Sequence, residues 1–220
     1  MKKRIIISCV LIVLCVVYTV LVAKVDVAAI GPENSEVGFS SLNGAVHGVF
    51  DFNETFYKIS KYLGLVPFLF VAFYALQGLM QLIKGKSLQA VDPRLYKLCG
   101  FYVLFAIIYV LFEKLAVNYR PVIIDVEEGL EASYPSTHTL LAICLCGSSL
   151  MMAKYYIKNE TLLKLINIAT WVVMLGIVIA RVISGVHWAS DIIGGILISC
   201  TMLYILHSAC VEDTEGKRVK

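Results

Sequence analysis

Ionisable side chains beside long apolar stretches are costly to keep near hydrocarbon, so each needs a partner or a purpose. Three clusters of such residues stand out in this chain. In the last of them His187 and Asp191 are four residues apart, a spacing that stacks both on one helix face within hydrogen-bond reach. A carboxylate that holds one ring nitrogen fixes the tautomer and leaves the other nitrogen free to attack. Arg181 lies just upstream, and Ser184-Gly185-Val186 reads as the tight reversal that returns it to the side of His187. In the middle cluster Pro135 precedes Ser136, Thr137 and His138, which predicts a helix start. The free N–H groups of that first turn, its positive dipole end and the Ser136 hydroxyl would cradle phosphate oxygens, with Thr137 in the same turn. His138 is placed there to pass a proton to a departing alcohol. The first cluster runs from Lys114 to Arg120-Pro121, and Arg120 and Arg181 each offer a planar fork matched to phosphate. A nucleophile, an acid and several cations are the parts that an in-line phosphoryl transfer needs.

These residues must be positioned by membrane helices. The 220 residues are 59% hydrophobic and only 16% charged, against about 25% charged in a soluble domain, and mean hydropathy is +0.81. Six apolar stretches approach the ~20 residues that a bilayer crossing needs, at approximately 5–23, 63–83, 98–117, 137–153, 163–183 and 188–210. The expected fold is therefore an all-α, six-helix polytopic bundle that makes one membrane domain of residues 1–220. Met1-Lys2-Lys3-Arg4 before the first stretch resembles the start of a signal peptide. The apolar run that follows exceeds the usual ~7–15 residues of one, so a retained helix is expected, with cleavage after Val27-Ala28-Ala29 as the alternative. The net charge of +3 is small, and no basic cluster is interleaved with aromatics, so nucleic acid is not indicated as a partner.

Cytoplasmic loops collect Lys and Arg near helix ends. Lys2, Lys3 and Arg4, then Lys84, Lys86, Arg94 and Lys97, then Lys154, Lys158 and Lys164, then Lys217, Arg218 and Lys220 all fall on one side if six helices alternate. Both termini are then cytoplasmic in a multi-pass plasma-membrane protein. The outer side receives residues 24–62, 118–136 and 184–187, with the acidic Asp26, Glu33, Asp125, Glu127 and Glu131 among them. All three clusters reach that outer face. Residues 24–62 read either as a packed loop or as a short interfacial helix carrying Phe50, Phe52, Phe56 and Tyr57.

Pro135-Ser136-x-His138 and Arg181-x5-His187-x3-Asp191 resemble the second and third signatures of the type 2 phosphatidic acid phosphatase superfamily, which includes vanadium haloperoxidases. The resemblance covers approximately residues 110–195. It implies a phosphohistidine formed on His187, acid catalysis by His138, phosphate binding by Lys114, Arg120, Ser136 and Arg181, and neither metal nor cofactor. A membrane lipid phosphate is the implied partner: a phosphatidate-type lipid, phosphatidylglycerophosphate or, favoured for an outward site on a small protein, a polyprenyl pyrophosphate such as the undecaprenyl carrier. The first signature has six residues between its Lys and Arg-Pro, whereas Lys114 precedes Arg120-Pro121 by only five. On a helix that turns Lys114 by about 100°, and the alternatives for it are a snorkelling side chain or a pair with Glu113 or Glu131. Ala180 stands where the family usually has Ser. A lipid phosphotransferase shares these motifs, while a small transporter would place such residues near the midplane on broken helices and not at one end of the spans.

The remaining reactive residue types have plainer readings. Seven cysteines lie in or beside apolar stretches and are expected as buried small hydrophobes. His47, His207, Trp171 and Trp188 are expected to be structural, and Gly194-Gly195 to allow close helix approach.

Overall fold

The computed structural model describes residues 2–216, which form an all-α bundle. Lys217, Arg218 and Lys220, counted above among the cytoplasmic cations, lie outside the described residues. Helix α1 spans Lys2–Lys24, α2 Ser40–His47, α3 Glu54–Leu63, α4 Pro67–Gly85, α5 Pro93–Leu115, α6 Thr137–Tyr156, α7 Glu160–Ile183 and α8 Ala189–Gly216. Helix starts follow local chemistry: Asn53, Asp92 and Asn159 cap α3, α5 and α7 by accepting from the N–H of Phe56, Arg94 and Leu162, and Pro67 and Pro93 occupy first-turn positions that need no N–H.

Six runs are long and apolar enough to cross a bilayer: α1, the α3–α4 pair as one run of 32 residues, α5, α6, α7 and α8 as far as Cys210. Their exposed faces are apolar, with Val13 and Val20 on α1, Leu69 on α4, Ile107 on α5 and Val172 on α7 all open. Such a girdle is stable only against hydrocarbon. Helix α6 sits at the centre, with 61% of its span buried against 6% for α1, and packs on α4, α7 and α8. The cysteines divide between these environments: Cys144, Cys146 and Cys210 are buried as expected, but Cys9, Cys99 and Cys200 are exposed on the outside of the bundle.

The helical run of the second span begins earlier than residue 63: residues 54–62 are helical rather than loop, and α3 continues into α4 as one apolar run. Helix α3 runs antiparallel along the end of α7. The Asn53 N–H donates to the Ser184 carbonyl at 3.0 Å, the Tyr57 ring lies under Arg181, and Leu63 fills the space that a Cβ on Gly176 would enter. Glu54, Lys58 and Lys61 leave the hydropathy of α3 low, which hides its membership of the bundle from the apolar count. Helix α1 is tied in by polar contacts, Tyr18 Oη donating to the Ser190 carbonyl at 3.1 Å and Thr19 Oγ1 meeting Tyr134 Oη at 2.8 Å.

Candidate active site

Polar residues are buried together at one end of the bundle, where α1, α5 and α7 finish and α3, α6 and α8 begin. Gly185, at φ +63°, turns the chain between α7 and α8, and a Cβ there would stand 2.5 Å from the Phe50 carbonyl oxygen; only glycine combines that backbone with that approach. The turn presents His187 just before α8, which starts at Ala189. His187 and Asp191 are therefore not stacked along one helix. Asp191 instead folds back to the helix start, its Oδ2 accepting the Trp188 N–H at 3.0 Å, as an acidic side chain in the first turn does in a capping box.

Ser133 fills the 3.9 Å left between His187 Nδ1 and Asp191 Oδ2. Its hydroxyl donates to Asp191 Oδ2 at 2.5 Å and lies 3.0 Å from His187 Nδ1. A hydroxyl has one proton, so with that proton on Asp191 the Nδ1 must be the donor to Ser133. Nε2 then carries the lone pair. It is buried with no hydrogen-bond partner among the described residues. Burial, followed by the charges of Arg120, Arg181 and His138, holds the His187 ring well below the ordinary histidine range, which keeps it neutral. Asn118 completes the network, donating to Asp191 Oδ1 at 3.2 Å.

Ser133 and Asn118 carry no family signature, and the sequence reading passes over both. They meet because residues 118–120 pair antiparallel with 131–133: Ser133 N–H donates to the Asn118 carbonyl at 2.8 Å and Arg120 N–H to the Glu131 carbonyl at 3.0 Å. The one available signal was the pair of short polar residues flanking the acidic 125–131 loop.

Ser136 caps the start of α6 by position, and its hydroxyl accepts from Thr139 Oγ1 at 3.0 Å while keeping its own proton to donate. Pro135 stands outside the helix, joined to Tyr134 by a cis bond. The N–H groups of Thr137, His138 and Thr139 open the helix with no intrahelical acceptor. Arg181 is buried in the last turn of α7, over the Tyr57 ring at 5.2 Å. Its Nε and Nη1 have no hydrogen-bond partner among the described residues, nor has Arg120 Nε. Buried guanidinium donors without acceptors are costly, and here both charges act on His187, which gives this end of the bundle anion-binding capacity. Arg120 is oriented by Glu131, Nη1 to Oε2 at 3.1 Å, so Glu131 is not a partner for Lys114.

Lys114 is the one expected site residue that the fold leaves apart. The buried or half-buried side of α5 carries Leu98, Phe101, Phe105, Ile108 and Phe112, and Lys114, two residues beyond Phe112, is turned about 200° from it. It is exposed, and the chain leaves α5 through Ala116 at φ +42°. Trp188 is structural as expected and also tethers the site, its Nε1–H donating to the Tyr119 carbonyl at 2.7 Å. His47 packs edge-on against Trp188 at 5.3 Å. Gly194 admits the Tyr134 ring onto α8.

Residues 68–214, well over half of the chain, match the PAP2 superfamily. The chain belongs to the PAP2 superfamily. The match extends on both sides of the 110–195 signature region and leaves α1, α2 and α3 outside it. Among solved structures, the PAP2 fold of this chain is similar to a transmembrane PAP2-type phosphatidylglycerolphosphate phosphatase from Bacillus subtilis. The TM-score is 0.59 at 15% identity, over 96% of this chain and 98% of the other. No curated protein matches the chain.

Proposed function

We propose that this protein is a lipid phosphatase that works through a phosphohistidine on His187, with its site at the outer membrane face. The observation that carries the reading is a buried, neutral His187 whose Nδ1 is tied to Ser133 and whose Nε2 is free beside the unpartnered donors of Arg181 and Arg120. Nε2 attacks phosphorus while the guanidinium groups and the first turn of α6 offset the charge on the equatorial oxygens. His138 gives a proton to the departing oxygen and takes one from the water that hydrolyses the intermediate. Asp191, through Ser133, stabilises the Nδ1–H as positive charge develops on the ring. No step calls for a metal. Lys-rich and Arg-rich loops at the opposite end of the bundle, at Lys84 to Lys97 and Lys154 to Lys164, support the outward site.

The substrate is an amphiphile whose tail stays in the bilayer, and a polyprenyl pyrophosphate is favoured over phosphatidate or phosphatidylglycerophosphate. The test is phosphate release by purified protein in detergent with EDTA, across these lipids, for the native chain and His187→Ala. Release from at least one lipid, undiminished by EDTA and lost in His187→Ala, is expected; release from none sinks the enzyme reading. Labelled phosphate trapped on protein should disappear in His187→Ala. Cysteine placed at residue 127 should react only from outside the cell.

A further inference from the structure

Helix α3 places residues i, i+4 and i+7 on one face, and for Tyr57, Lys61 and Gly64 that face looks at the site. Tyr57 lies beneath Arg181 at 5.2 Å. Gly64 comes so close to His138 that a Cβ there would stand 3.2 Å from the ring's Cδ2. Lys61 stands between these two contacts, one turn from each. Its charge is one of three, with Arg181 and Arg120, that act on the His138 ring, and a lysine stem is long and flexible enough to swing its ammonium towards an anion bound there. Neighbouring Lys58 is spoken for, with Glu54 at 2.7 Å. Lys61 is exposed and has no anionic partner among the described residues. Three positive charges that act on one ring are brought together more favourably when an anion joins them.

We propose that Lys61 binds the leaving phosphate of a lipid diphosphate and makes this site selective for diphosphates over monoesters. The inference rests on the phosphatase reading above, with His138 on the leaving-group side. His187 Nε2 forms a bond to the terminal phosphorus, and the bond from that phosphorus to the bridging oxygen breaks, its electron pair staying with the departing lipid monophosphate. The His138 proton passes to that departing phosphate. Water then attacks the phosphohistidine, its proton returns to His138, the N–P electron pair returns to Nε2, and inorganic phosphate leaves. A departing alcohol carries no second anion for Lys61 to meet. A departing phosphate monoester, whose second pKa is about 6, carries its charge beside the ammonium.

The test measures binding of two non-hydrolysable lipids of equal chain length, a methylenediphosphonate and a monophosphonate, to full-length protein in detergent. Lys61→Gln should weaken the diphosphonate about 10- to 100-fold, the range of a hydrogen bond to a charged group. It should change the monophosphonate less than about threefold and leave the thermal midpoint unmoved, and Lys61→Arg should recover most of the loss. Equal weakening of both lipids, or of neither, overturns the proposal. Hydrolysis of the cleavable diphosphate by the native chain is followed in parallel. Its failure alongside Lys61-dependent diphosphonate binding overturns the phosphatase reading and leaves the binding role standing.

Discussion

The two histidines of the site stand on walls built in different ways. His187 is held from behind by a closed network in which Ser133, Asn118 and the Trp188 N–H all converge on Asp191. His138 is approached by the Gly64 end of α3 and lies in the field of three cations, Arg181, Arg120 and Lys61. On the proposed mechanism, an atom that must attack in line gains from a fixed ring, whereas a group that gives and then retakes a proton gains from a less tightly held one. The contrast separates positioning from proton transfer, and each wall can be taken apart on its own.

Removing the open wall should cost most after loss of the nucleophile itself. His138→Ala is expected to slow phosphate release by about 10²- to 10⁴-fold, the usual share of a general acid–base group, while native-like affinity for the monophosphonate lipid is retained. Equal losses in rate and binding would place His138 among the binding groups. Loosening the closed wall should cost less. Ser133→Ala leaves a gap between His187 and Asp191 and should lower kcat about 10- to 100-fold with KM nearly unchanged; a rise in KM alone would show that Ser133 does not orient the ring.

The fixed ring also has a pH signature. Burial and the nearby cations lower the affinity of His187 for a proton, so its neutral form persists as pH falls through the ordinary histidine value of about 6.5. Formation of the labelled phosphoenzyme, measured in the first turnover, should therefore show its acid limb below that value. The unfolded chain binds this proton more readily than the folded one, so stability contributed by a neutral His187 is lost as pH drops below about 6.5. The thermal midpoint of His187→Asn should accordingly fall less steeply there than that of the native protein. The smallest effect is expected at Lys114. Lys114→Gln should change kcat/KM less than about twofold, because the side chain faces away from both walls; a larger loss would return it to the phosphate site.

Much of this was legible in the sequence because it depends on local spacing. The apolar runs mark the spans, and the Arg181 to His187 to Asp191 interval puts three polar groups around one glycine turn; the one-residue shortfall before Arg120 is a sign against Lys114, which the signature nevertheless assigns to phosphate. Helical period and chain direction decide such features. Hydropathy fails at α3, where Glu54, Lys58 and Lys61 mask a helix that belongs to the bundle. The His187–Asp191 spacing predicts a direct contact, yet the two are linked through Ser133, since α8 starts two residues too late to stack them. Which groups the site contains was thus set by the chain, residue by residue. How they touch was decided only when distant segments met, in the pairing of 118–120 with 131–133 that delivers Ser133 and in the packing of α3 on α7 that delivers Tyr57 to Arg181. Contacts across such separations come from burial and shape shared by whole helices, and no spacing along the chain encodes them.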